Sequence, residues 1–82
     1  MTKDELKGIV LRILGEIAPE ADLSRINPSE NLRDQLDIDS MDFLNFVIAL
    51  NKELKIEIPE TDYPKFATLD SSVEHIILSF SK

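Results

Sequence analysis

The 82-residue sequence predicts an all-α fold: a small antiparallel four-helix bundle, with three main helices, one short helix, and a long loop between helices 1 and 2. Three observations predict it. Three segments carry apolar residues at helical spacing, each opens on a residue suited to capping, and the one strand-like stretch has no second strand to pair with. The length allows a single domain, residues 1–82, with a modest core better suited to display than to enclosing a deep active site.

The first helix opens at Thr2, with Glu5 three residues on, the signature of a capping box. Leu6, Ile9, Val10, Ile13, Leu14 and Ile17 form one apolar stripe, Lys3, Lys7 and Arg12 lie off it, and Pro19 stops it. Residues 18–39 form a long connection, a length more often functional than incidental. Pro19, Asp22 and Asn27-Pro28 punctuate it. Leu23, Ile26, Leu32 and Leu36 are spaced as anchors onto a core, with a short helical turn expected around Leu32–Leu36.

The second main helix runs from Ser40 to Leu54. Its polar residues form a thin stripe of Asp42, Asn45, Lys52 and Glu53, with Ala49 between them, and almost everything else is apolar. A helix this apolar is central in its fold, or lends part of its surface to a partner or a bound chain. Lys55 to Pro59 alternates like a strand, but Pro59 and the missing partner make it an extended link. A short helical turn is expected over residues 61–66, with Tyr63 and Phe66 inward. Thr68 then caps the last helix, whose buried stripe is read as Leu69, Val73, Ile76, Ile77 and Phe80.

The net charge is −7, and it is unevenly spread. Residues 20–42 hold seven carboxylates against Arg25 and Arg33, a net of −5, whereas residues 1–19 are neutral overall. Acidity gathered around Ser40 argues against nucleic acid, whose phosphates call for Lys and Arg, and steers partners with basic patches toward this end. The bland reading of such a surface is solubility. Zero cysteines exclude a disulfide framework, a thiolate nucleophile and a cysteine metal site. No apolar run approaches the roughly 20 residues of a membrane span, and Lys3, Asp4 and Glu5 interrupt any signal peptide. A cytoplasmic monomer is expected, and Met1 with the capped first helix suggests a stand-alone chain.

The most informative stretch is Asp39-Ser40-Met41, where the loop meets the most apolar helix. Ser40 at the first step of a helix holds its hydroxyl at the surface, under the positive end of the helix dipole, beside backbone N–H groups that favour a phosphate. Taken locally, the pattern is more often that of an ordinary cap, since Ser and Asp are common before a helix. The order over the whole chain separates the two readings: amphipathic helix, anchored loop, Asp-Ser-Met, apolar helix with Ala49-Leu50, Ile56-Glu57-Ile58-Pro59, a short turn, then Thr68-Leu69. That order, over essentially the full length, resembles the acyl carrier proteins.

The resemblance implies that Ser40 carries 4′-phosphopantetheine through a phosphodiester, installed from coenzyme A by a separate phosphopantetheinyl transferase, with Asp39 assisting the transferase's magnesium ion. The arm's thiol holds an acyl group as a thioester for enzymes of fatty-acid, polyketide or related biosynthesis. In such a family the acyl chain folds back between the helices, and Phe46, Val47, Leu50, Ile58 and Ile76 are the residues expected to line that cleft, with plain core packing as the alternative. Met41, Asp42, Phe43, Asn45 and Glu53 are expected to meet partner enzymes that present basic or mixed basic and apolar docking patches. The sequence departs from the family pattern at Asp37, where glycine is frequent, and along the second helix, where Asn45, Asn51 and Lys52 replace carboxylates. Phe43 stands where a smaller or polar residue is usual. These departures point to a specialised carrier whose partner reads an apolar surface around Met41 and Phe43.

Two other readings stay open at this level: an aminoacyl or peptidyl carrier, and an unmodified acidic helical adaptor that binds a basic partner. An enzyme is not expected, because no nucleophile–base pair or metal set appears. His75, the only histidine, is read as structural or superficial, flanked by Glu74 and Ile76. Asp37-x-Asp39 fails as a calcium loop. Counting from Asp37, the sixth residue is Asp42 rather than glycine and the twelfth is Ile48 rather than glutamate, so no metal is expected.

Overall fold

The structure is a computed structural model that describes residues 2–80. Met1 and the last two residues of the expected domain lie outside the described residues. All regular structure among the described residues is helical: α1 (Lys3–Ile17), a 3₁₀ turn (Leu23–Arg25), α2 (Leu32–Leu36), α3 (Ser40–Leu54), a 3₁₀ helix (Glu60–Phe66) and α4 (Leu69–Phe80). α1 packs against both α3 and α4, and the 3₁₀ helix lies on α4.

The stripes read from the sequence are the faces that meet. α1 buries Leu6, Val10, Ile13 and Leu14, α3 buries Phe46, Val47, Leu50 and Leu54, and α4 buries Leu69, Val73 and Ile76. Leu32 from the loop and Phe66 from the 3₁₀ helix complete the core. Each fully buried Leu, Ile or Phe contributes about 1.5–3 kcal/mol relative to exposure, so these side chains are the main support of the fold. Ser72 is the one buried polar residue among those described, and its Oγ donates to the Thr68 carbonyl at 2.6 Å. Phe80 departs from the expected stripe: at the last position of α4 it is 47% exposed.

The long connection is held down at several points. Leu23, Ile26 and Leu36 pack half-buried against the core and Leu32 is fully buried, as their spacing predicts. Gly15 on α1 gives Leu23 its seat, since a Cβ there would stand 3.2 Å from Leu23 Cδ1. The loop backbone also serves the last helix: Asp70 N–H donates to the Pro28 carbonyl at 3.0 Å, and Leu32 N–H donates to the Ala67 carbonyl at 2.7 Å. Both donors belong to helix first turns, where no intrahelical acceptor exists. Gln35 closes the loop on itself, its carboxamide accepting from Asn27 N–H and donating to the Asn27 and Glu30 carbonyls.

The stretch after α3 behaves as an extended link. Lys55 ends α3 in the left-handed region at φ 54°, and Asn51 Nδ2 donates to the Ile56 carbonyl. Ile56 and Ile58 pack on the core while Glu57 faces water, so the period-two pattern is used without a strand ladder. The turn expected over residues 61–66 begins one residue earlier, at Glu60.

Candidate functional site

The site is built where α2 ends and α3 begins. Asp37 closes α2 at φ 53° and ψ 46°, the left-handed conformation that glycine adopts without strain and that Asp tolerates better than most residues. This accounts for the departure noted at Asp37: the backbone there asks for the glycine that the family pattern favours. Ile38 next turns inward and is 9% exposed, which fixes the chain before the helix starts.

Asp39 is then extended, and its Oδ1 accepts the Asp42 N–H at 2.9 Å, while its carbonyl takes the first intrahelical bond, from Phe43 N–H at 3.0 Å. Ser40 is the first residue of α3 and is exposed. Its hydroxyl makes no hydrogen bond among the described residues, and the same is true of its own N–H and that of Met41. An unbonded hydroxyl therefore stands beside two unbonded donors at the positive end of a 15-residue helix. That arrangement suits a phosphate ester, and the dipole favours a phosphate there by about 0.3–1 kcal/mol. Asp37 and Asp39 are exposed nearby, where solvent and salt screen their repulsion. The residues present fit a serine-linked phosphodiester.

The residues expected to meet partners do not form one uniform surface. Met41 (62% exposed), Asn45 and Ile48 (40% exposed) share an outward face of α3. Phe43 is half-buried, its ring 6.1 Å from that of Phe46, so it belongs partly to the core. Asp42 is half-buried, and its carboxylate has no hydrogen-bond partner among the described residues. Glu53 is exposed and paired with Arg12 of α1, which also reaches Glu16 at 3.3 Å. Exposed pairs of this kind are worth little and exchange readily.

The five residues named for an acyl cleft come together, but as filled core. Phe46, Val47, Leu50 and Ile76 are buried and Ile58 is half-buried, and the cavities described lie elsewhere. The largest is an open groove of about 690 Å³ between the end of α1, the loop and the start of α3. Sequence reasoning passed over it. Its one signal was that the loop anchors Ile26 and Leu36 are flanked by polar residues, as groove walls are.

His75 has a partner that its neighbours in sequence did not reveal. Its Nε2 lies 3.2 Å from Asp62 Oδ2, and its ring stands edge-on to Phe66 with centroids 5.3 Å apart. The pair joins the 3₁₀ helix to α4, a structural role.

Comparison with known proteins agrees with this geometry. Residues 4–76 match the family described as "Phosphopantetheine attachment site". The chain is 29% identical over 77 residues to a mitochondrial acyl carrier protein of Neurospora crassa, covering 94% of this chain and 58% of that protein. It is 30% identical over 76 residues to mitochondrial acyl carrier protein 2 of Arabidopsis thaliana, covering 93% of this chain and 60% of that one. The chain thus spans somewhat under two thirds of the length of these two relatives. Among solved structures, an acyl carrier protein from Enterococcus faecalis, studied for its high thermal stability, superposes with a TM-score of 0.80 at 26% identity, covering 96% of this chain and 99% of that one.

The class defined by fold and site is a small helical domain that displays a serine at a helix start. The chain belongs to the phosphopantetheine-attachment family of acyl carrier proteins. Its prosthetic group is covalently attached 4′-phosphopantetheine. No helix among the described residues is long and apolar enough to cross a membrane.

Proposed function

We propose that Ser40 is the attachment residue and that the protein is a non-catalytic carrier, holding acyl intermediates as thioesters and passing them between enzymes of fatty-acid, polyketide or related biosynthesis. The observation that carries this reading is the exposed, unbonded Ser40 hydroxyl beside the free N–H groups at the start of α3. In the attachment step the Ser40 Oγ forms a bond to phosphorus of coenzyme A, adenosine bisphosphate leaves, and the hydroxyl proton passes to the transferase. Asp39 keeps Oδ1 on the helix cap and has Oδ2 available to the transferase's magnesium ion. When bound, the arm supplies the thiol that this cysteine-free chain lacks.

Acyl cargo, rather than aminoacyl or peptidyl cargo, is favoured by the names of the relatives. Phe46, Val47, Leu50, Ile58 and Ile76 are the core walls that an acyl chain parts on entering between the helices. Partner enzymes meet Met41, Asp42, Phe43, Asn45 and Glu53. An apolar contact at Met41 and at the part of Phe43 left uncovered by the core marks a specialised partner, whose basic groups answer the carboxylates around Ser40 and displace Arg12 from Glu53. The working form is a monomer in the cytoplasm.

The test is direct. Purified protein is incubated with coenzyme A, magnesium and a broad-specificity phosphopantetheinyl transferase, and intact mass is measured beside a Ser40→Ala variant. A gain of one phosphopantetheinyl group in the native protein and none in the variant is expected. A folded native protein that gains nothing refutes the carrier reading and leaves an acidic adaptor capped at Asp39.

A further inference from the structure

We infer that in the unloaded holo protein the prosthetic arm lies in the groove between the end of α1, the loop and the start of α3, rather than between the core helices. The inference rests on attachment at Ser40, proposed above. The groove's volume of about 690 Å³ falls within the range of small-molecule sites. Ser40 is not among its lining residues, but Ile38 and Asp42, two residues to either side of Ser40 along the chain, both line it, which puts the groove within reach of an arm tethered at Ser40.

Its wall mixes apolar side chains with the carboxylates of Glu20, Asp22, Asp37 and Asp42. Ile17, Ile26 and Leu36 are half-buried, so each has apolar surface left to cover, which suits the arm's gem-dimethyl carbon and methylenes. The Asp42 carboxylate, half-buried and without a partner among the described residues, can accept from an arm amide N–H. The other destination is closed in this state. Phe46, Val47, Leu50 and Ile76 are at most 2% exposed, and entry among them requires parting helices packed at crystal-like density. A tethered arm meets the open groove at a high effective concentration, so even weak complementarity keeps it there.

The experiment uses isotopically labelled holo protein, with intact mass measured on the same sample. Nuclear Overhauser contacts are expected from the gem-dimethyl protons of the arm to the methyl groups of Ile26 and Leu36. Ala18 and Ala21 line the same groove, so Ala18→Leu or Ala21→Leu fills it. Each filled variant is expected to gain the full mass of the arm and lose those contacts, and either alone decides if the other misfolds by circular dichroism. Full mass gain with arm contacts confined to residues 39–42, or directed to Leu50 and Ile76, overturns the inference and leaves the carrier reading intact. Absence of any mass gain overturns both.

Discussion

α1 and α4 begin in one way and α3 in another. At the start of α1, Glu5 N–H donates to Thr2 Oγ1 and Thr2 N–H donates back to Glu5 Oε1, at 3.2 and 3.1 Å. At the start of α4, Ser71 N–H donates to Thr68 Oγ1 at 3.0 Å and Thr68 N–H donates back to Ser71 Oγ at 3.3 Å. Both starts are closed reciprocally by their own side chains. α3 has only half of this arrangement: Asp39 caps the Asp42 N–H, and Asp42, with its shorter carboxylate where a capping box has Glu or Gln, gives no bond in return. A start closed from within serves the fold alone. A start closed halfway holds the helix and still leaves polar groups for something outside the chain, and here those groups surround Ser40.

Substitutions at the three starts can break or sharpen this contrast. The largest effect on stability is expected at the most enclosed cap. Thr68→Ala removes the acceptor of Ser71 N–H in a half-buried setting and should cost about 2 kcal/mol, seen as a fall of about 10 °C in melting temperature for a domain of this size. Asp39→Ala removes a single exposed cap bond and should cost about 1 kcal/mol in chemical denaturation. Asp42→Glu supplies the missing half of the box and should stabilise by about 0.5 kcal/mol, measured the same way. If it leaves stability unchanged, α3 is not half-capped for want of reach. Ser40→Ala, which removes no bond seen in the structure, should shift stability by no more than about 0.5 kcal/mol while abolishing the mass gain. The smallest effect lies in pH. The bonds from the Thr2 backbone and hydroxyl hold the Glu5 carboxyl below its ordinary 4.5. Glu5 therefore binds protons more readily unfolded than folded, and its contribution is present above pH 4.5 and lost as pH falls through the lower folded value. Acid titration of the melting temperature should be slightly shallower in Glu5→Gln than in the native protein.

The starts were legible in sequence because capping is local chemistry: Thr2, Asp39-Ser40 and Thr68 sit where helical spacing begins. The core stripes were legible for the same reason, as were the loop anchors Leu23, Ile26, Leu32 and Leu36. Phe80 and Ile48 were not, since periodicity gives the face of a side chain but not how far its neighbours extend. The 3₁₀ turn at Leu23–Arg25 was missed because three residues carry no period, although Asp22 caps it through Ser24 N–H. The pairs His75–Asp62, Arg12–Glu53 and Asn27–Gln35 join residues distant in sequence, and no local pattern announces them. Ser40 stands out as the candidate from its place in the order of elements, while the groove near the start of α3 arises only when the end of α1 and the loop are set against that helix.

Gln35 has a consequence of another kind, in chemical ageing. Its amide nitrogen donates to the carbonyls of Asn27 and Glu30, at 2.8 and 3.1 Å, and its oxygen accepts from Asn27 N–H at 2.9 Å. Deamidation replaces that nitrogen with an oxygen, so two donors become an acceptor facing two carbonyls. A change of less than one dalton thus turns the side chain that closes residues 27–30 against the two carbonyls it now holds, and leaves that part of the loop to its remaining fastenings, the Pro28 carbonyl on Asp70 N–H and the apolar anchors.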